Sequence, residues 1–171
     1  LMLYAGQEYG ERGMEQEGFS GNDGRTTIFD YWNVPTLCRA ANHALTETEK
    51  QLYDVYHRTL NIARKEKTVA GGSFFDLMYV NGHLNQQYAF LRKAGDEMLL
   101  VVANFADTDV QVAVTLPAHA FEYLKIPQKN AIATDLLTAE KHTFALKCDG
   151  QLDMNIPRRT ARIWKMNVKK R

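Results

Sequence analysis

Cysteine and proline are scarce in this chain, with two cysteines and four prolines among 171 residues. Cys38 and Cys148 stand far apart, with no CxxC pair and no Cys/His ligand spacing. That excludes a disulfide-stapled scaffold and a zinc cluster, and both read as small unpaired hydrophobes of the interior. A bridge between them would tie the first part of the chain to the last. No apolar run approaches the ~18 residues of a membrane span, so no membrane partner is expected. An excess of one charge is also missing: 21 basic residues face 20 acidic ones, a formal charge of +1. No nucleic-acid partner is expected from that balance. The basic tail Lys165-x-x-x-Lys169-Lys170-Arg171 reads as a solvated end. Ser20 and Ser73 lie in no G-x-S-x-G turn. His43, His57, His83, His119 and His142 are scattered, with no partner three or four residues on, so no histidine metal site is expected.

The residues that are present start abruptly. Leu1-Met-Leu-Tyr-Ala-Gly-Gln-Glu-Tyr-Gly10 is an apolar run meeting a turn with two glycines, which reads as a buried strand emptying into a loop. Nothing on its N-terminal side could pair with it, so the chain is expected to begin inside an element of a larger protein. Residues 1–45 then read as one long loop. Gly10, Gly13, Gly18, Gly21 and Gly24 alternate with Glu11, Glu15, Glu17 and Asp23, the knot Ile28-Phe-Asp-Tyr-Trp32 closes it, and Pro35 is expected to break the chain there.

Thr46-x-x-Glu49 has the pattern of a capping box. Leu52, Val55, Tyr56, Leu60 and Ala63 come next at helical spacing and predict a helix over 46–66 with one apolar stripe. Arg58, Arg64, Lys65 and Lys67 complement its C-terminal dipole.

From Gly71-Gly72 onward the period changes to two. Val110, Val112, Val114 and Leu116 alternate with polar or small residues, as do Leu152, Met154 and Ile156. Met98–Ala103 is continuously apolar, as in a central strand covered on both faces. Turn signals at Gly95-Asp96, 106–109, 138–140 and Asp149-Gly150, the last a favoured hairpin pair, separate the strands. Eight strands are predicted, near 73–80, 87–93, 97–104, 110–116, 131–137, 140–147, 151–156 and 160–166. This spacing predicts a mainly β fold, an antiparallel two-sheet Greek-key sandwich over 71–171, with a closed barrel as the alternative. Residues 1–70 form a separate first part.

Several segments, taken in order, resemble the C-terminal end of the α-amylase superfamily, glycoside hydrolase family 13. The opening decapeptide is similar to that family's last barrel strand and the Gly-x-Glu turn after it. Gly21-x-Asp-Gly-Arg25 and Ile28-Phe-Asp-Tyr-Trp32 look like the following loop, and the 46–66 helix like the final barrel helix. Tyr88-Ala-Phe-Leu-Arg92, Leu99-Leu-Val-Val-Ala-Asn-Phe105, Thr134-Asp-Leu-Leu137 and Ile156-Pro-x-x-x-Ala161 look like successive strands of the C-terminal sandwich. The resemblance implies a parent that acts on α-glucosidic bonds by a retaining mechanism with an aspartate nucleophile and a glutamic acid. Those carboxylates belong to barrel strands with no counterpart here, so no catalytic residue is carried over and the chain alone is expected to be inactive.

The resemblance makes Gln7 and Glu8 braces of a turn near the parent's active-site face, rather than Glu8 and Glu11 an acid/base pair. Asp23 and Arg25, with Asp30, read as loop ion pairs. Glu15, Glu17 and Asp23 lack EF-hand spacing, so no metal is assigned to this chain and calcium stays open for the parent. The implied partners are the catalytic barrel and an α-glucan or maltooligosaccharide. Apolar residues 1–4 and 29–32, left without the barrel that would cover them, are expected to pair with a second copy or to fold back onto the sandwich. The alternative function is an independent sandwich module that recognises α-glucan through exposed aromatics. Sugar rings stack on flat aromatic faces, and Tyr79, Tyr88, Tyr123 and Trp164 are the candidates, each also a candidate for plain core packing.

Overall fold

A computed structural model describes residues 2–11 and 34–169. The chain divides into two compact units, Leu1–Asn61 and Ile62–Arg171, the division falling inside a long helix.

In the first unit, residues 2–5 form no strand, and Met2 is 79% exposed. The buried strand expected there is absent because a strand needs a ladder partner, and no described segment pairs with this one. A 3-10 turn occupies Gln7–Tyr9, flanked by Gly6 and Gly10 at φ 85° and 77°. Pro35 does not break the chain but starts a helix, α1 (Pro35–Ala41), at a position where its missing N–H costs nothing. The predicted long helix is α2 (Glu47–Lys65). Its capping box is formed: the Thr46 N–H donates to the Glu49 carboxylate at 2.8 Å, and the Glu49 N–H donates to the Thr46 hydroxyl at 3.3 Å. The predicted stripe is less covered than its spacing suggests, for Leu52, Tyr56, Leu60 and Ala63 are half-buried and Val55 is 53% exposed.

The second unit opens with a short helix, α3 (Lys67–Gly71), and continues as β1 (Ser73–Asp76), β2 (Gln87–Ala94), β3 (Glu97–Asn104), β4 (Val110–Leu116), α4 (Ala118–Leu124), β5 (Lys129–Asp135), β6 (Lys141–Leu146), β7 (Gly150–Ile156) and β8 (Thr160–Asn167). All pairings are antiparallel. One sheet has six strands in the order β1-β2-β3-β8-β5-β6, and the other pairs β4 with β7. This is the expected two-sheet sandwich. Inner residues of both sheets form one core, with Leu91, Leu100, Val102, Trp164 and Met166 facing Val114, Leu116, Leu152 and Ile156. The continuously apolar β3 is indeed central, between β2 and β8.

Three local expectations change. The strand expected over 73–80 stops at Asp76, whose carboxylate accepts the Met78 N–H at 2.8 Å and turns the chain into a 3-10 turn, Met78–Val80. Asp149-Gly150 does not make a hairpin, because β6 pairs with β5 and β7 with β4. Asp149, at φ 57°, instead donates its N–H to the Leu116 carbonyl and accepts the Ala118 N–H, so the turn carries the chain from one sheet to the other. Finally, Cys38 and Cys148 are both exposed rather than interior, and they form no disulfide with each other.

Candidate functional site

Gln7, one of the residues expected to brace the first-unit turn, makes two side-chain hydrogen bonds. Its amide oxygen accepts the Tyr4 N–H at 3.2 Å, and its amide nitrogen donates to the Tyr56 hydroxyl of α2 at 2.9 Å. Glu8, half-buried, raises the pKa of neighbouring Tyr9 by its charge, a smaller effect than that ring's own burial. The carboxylate that holds the turn is Glu11, which accepts the Thr36 N–H at 2.9 Å and the Thr36 hydroxyl at 2.6 Å. A side chain at Gly6 would strike that Thr36 hydroxyl, at 2.7 Å, so the glycine is required by both space and φ. Glu11 is thereby committed to the backbone of α1 rather than to proton transfer. Asp23 and Arg25 lie outside the described residues, as do Glu15, Glu17 and Asp30. Among the described residues, no group of three or more His, Cys, Asp or Glu side chains could hold a metal ion.

In the second unit, the four candidate aromatics part company. Trp164 is only 3% exposed: its ring lies on the inner face of β8, edge-on to Phe144 at 5.4 Å, with the Arg162 guanidinium 5.8 Å from its centre. It cannot meet a sugar, and the reading of Trp164 as a surface platform is corrected to core. The β-period put it there, since Trp164 stands opposite Leu100 of β3. Tyr88 lies on the outer face of β2, beside Phe90 at 5.7 Å, with Phe74 beyond it.

Tyr79 and Tyr123 are brought together. Both rings pack against Phe75, with centroids 6.1 and 6.0 Å away, and His119 joins them, 5.3 Å from Phe75 and 6.4 Å from Tyr123. Phe75 is the buried anchor, whereas Tyr79 is 62% and Tyr123 58% exposed. Three elements supply the rings: β1, the 3-10 turn and α4. The turn carrying Tyr79 is fastened from below by the buried Asn81. The Asn81 amide donates to the Leu77 and Thr115 carbonyls at 2.8 and 3.1 Å and accepts the Thr115 N–H at 2.8 Å. Helix α4 buries Ala120, Phe121 and Leu124 and so turns His119 and Tyr123 outward. Sequence reasoning missed α4 and with it His119. The signal was available in Pro117 followed by apolar residues at 120, 121 and 124.

Asp135, the one fully buried carboxylate among the described residues, has a different task. It accepts the Arg162 guanidinium at 2.9 Å, the Thr138 hydroxyl at 2.8 Å, and the Ile163 and Leu137 N–H groups at 3.1 and 3.2 Å. Burial pushes its pKa up, but Arg162 and the other donors together outweigh that and hold it below the ordinary aspartate value. Glu140 completes the group, accepting from Arg162 at 2.8 Å. A carboxylate saturated with donors is a joint between β5 and β8, not an acid or base.

The profile of the family described as "Alpha amylase, C-terminal all-beta domain" matches residues 79–167, just over half the chain. No curated protein matches in sequence. Among solved structures, an α-amylase from Anoxybacillus is 20% identical and aligns over 76% of this chain and 26% of its own, with a TM-score of 0.50. AmyP bound to maltotriose is 14% identical over 88% of this chain and 24% of its own, with a TM-score of 0.55. The maltogenic α-amylase AmyB from Thermotoga neapolitana is 9% identical over 69% of this chain and 26% of its own, at 0.51. At such identities these likenesses concern the fold, and the chain spans about a quarter of the length of these structures. The family profile takes in every strand of the six-plus-two sandwich except β1, and the chain belongs to the family of α-amylase C-terminal all-β domains.

Proposed function

We propose that this chain is the C-terminal part of an α-glucan-active, retaining glycoside hydrolase, and that it serves there as scaffold without turnover of its own. The observation that carries the reading is the family match across 79–167, which takes in seven of the eight sandwich strands. Retaining glycosidases need two carboxyl groups flanking the scissile bond. The carboxylates best placed to be mistaken for such groups have other work: Glu11 holds Thr36, Glu49 caps α2, and Asp135 joins β5 to β8. The catalytic barrel is the proposed partner, α-glucan or maltooligosaccharide the proposed substrate of the whole enzyme, and calcium a proposed ligand of the barrel rather than of this chain. Half-buried Leu52, Tyr56 and Leu60 of α2 offer the barrel an apolar stripe to cover.

Proton NMR of the whole protein acting on maltooligosaccharides tests the assignment. The α-anomer of the new reducing end should appear first, and first appearance of the β-anomer, or no cleavage of α-glucan, overturns it. A second reading, an independent module that binds glucan, is favoured by one observation, the outward-facing Tyr79 and Tyr123.

A further inference from the structure

We propose that Asn81 is a deamidation site kept shut by the fold, and that its conversion, once the turn around it opens, makes the opening irreversible. Asn81-Gly82 is the one Asn-Gly pair in the chain. In such a pair the glycine nitrogen attacks the asparagine side-chain carbonyl carbon, since glycine has no side chain to obstruct the approach and its backbone turns freely. A new N–C bond forms, and the side-chain nitrogen leaves as ammonia with the proton of the glycine N–H. Water then opens the resulting five-membered succinimide at either carbonyl, giving aspartate or isoaspartate. No electrons are exchanged, and water is the only co-reactant.

The structure blocks this reaction although Gly82 is exposed. Asn81 is fully buried, and its amide is held by three hydrogen bonds. The nitrogen that would leave donates to the Leu77 and Thr115 carbonyls, and the amide oxygen accepts the Thr115 N–H. Ring closure also needs the Gly82 nitrogen on the same side of the Cα–C bond as the Asn81 side chain. At ψ 46° it stands on the opposite side. The next residue adds a second tie to β4, for the His83 ring bonds the Ala113 carbonyl at 3.0 Å.

Conversion would not be silent. An aspartate at this position replaces the donating amide with an oxygen that faces two carbonyl oxygens in a buried site, which is costly. An isoaspartate lengthens the backbone by one methylene within a turn whose ends are fixed. A converted chain therefore cannot reclose the turn and is withdrawn from the folded pool, as when an unfolded state is chemically modified before it refolds. Because this chemistry is slow beside opening and closing, its rate in the folded protein follows the population of the open turn.

Peptide mass spectrometry of the 171-residue chain, held in mildly alkaline buffer either folded or in guanidinium chloride, tests the proposal. In denaturant Asn81 should convert first among the asparagines, and in the folded chain about a hundredfold more slowly. Refolding yield after denaturant should fall in proportion to the fraction converted. Gly82→Ala should suppress conversion and preserve the yield, since an added Cβ there meets nothing within 4 Å and leaves the bonds of Asn81 in place. Equal rates in the folded and unfolded chain, or converted chains that refold as well as unconverted ones, overturn the proposal. Conversion of other asparagines ahead of Asn81 in denaturant overturns it as well.

Discussion

Asp135 and Glu49 show how single carboxylates hold this chain. Replacing Asp135 with alanine strips Arg162 of its buried partner and leaves the Ile163 and Leu137 N–H groups without their acceptor. The expected loss is about 3 kcal/mol in urea unfolding, because those two N–H groups lose their acceptor while Arg162 keeps only the more exposed Glu140 as its carboxylate partner. Glu49 is lowered from 4.5 to about 2, first by its bond to the Arg39 guanidinium and then by the Thr46 N–H. A depressed folded pKa adds stability that is full above the ordinary value and vanishes as pH falls through the folded one. The difference in melting temperature between the native chain and Glu49→Gln should therefore close between pH 4.5 and about 2, and a constant gap would contradict it. The capping role of Glu49 was legible from Thr46 three residues earlier. The bond to Arg39 was not, since nothing in the spacing brings α1 to the start of α2. Trp164 marks the same limit from the other side, because an aromatic residue in a strand faces core or solvent according to register, which sequence pattern alone does not set.

At the scale of elements, β3 and β4 lie where alternation and apolar runs put them, and α2 differs from expectation by one residue at each end. The elements that escaped prediction are short. α1 and α3 carry too few turns to show a helical period and depend on tertiary contacts instead, whereas α4 shows only the short apolar spacing of residues 120, 121 and 124. α3 is an example, since Arg92 of β2 reaches out to the carbonyls of Thr68 within it and of Gly72 just after it, at 2.7 and 2.9 Å. The link between the 3-10 turn and β4 is similar, resting on the Asn81 side chain. Asn81→Ala should cost about 2 kcal/mol, the penalty of leaving buried backbone groups unpaired. Hydrogen exchange at the Thr115 amide should quicken in that variant. Unchanged exchange there would mean that the turn is held by something else.

For the whole molecule, membership in the α-amylase C-terminal family was legible from the ordered set of segments, and the sandwich lies where those segments fall. The aromatic cluster of Tyr79, His119 and Tyr123 was legible only in part. Its members are separated along the chain and meet because β1, the turn and α4 converge on Phe75. Exposed Met2 and Tyr4 bear on assembly, and we propose that they favour pairing of two copies. Sedimentation should then show a dimer that Met2→Ser with Tyr4→Ser dissociates, whereas a native monomer would count against it. We propose that the chain is scaffold, with the chemistry elsewhere in the parent. The most direct test is release of reducing sugar from soluble starch by the purified, folded 171-residue chain. No release above the buffer control is expected at any concentration of the chain, and turnover proportional to the amount of chain overturns the scaffold reading.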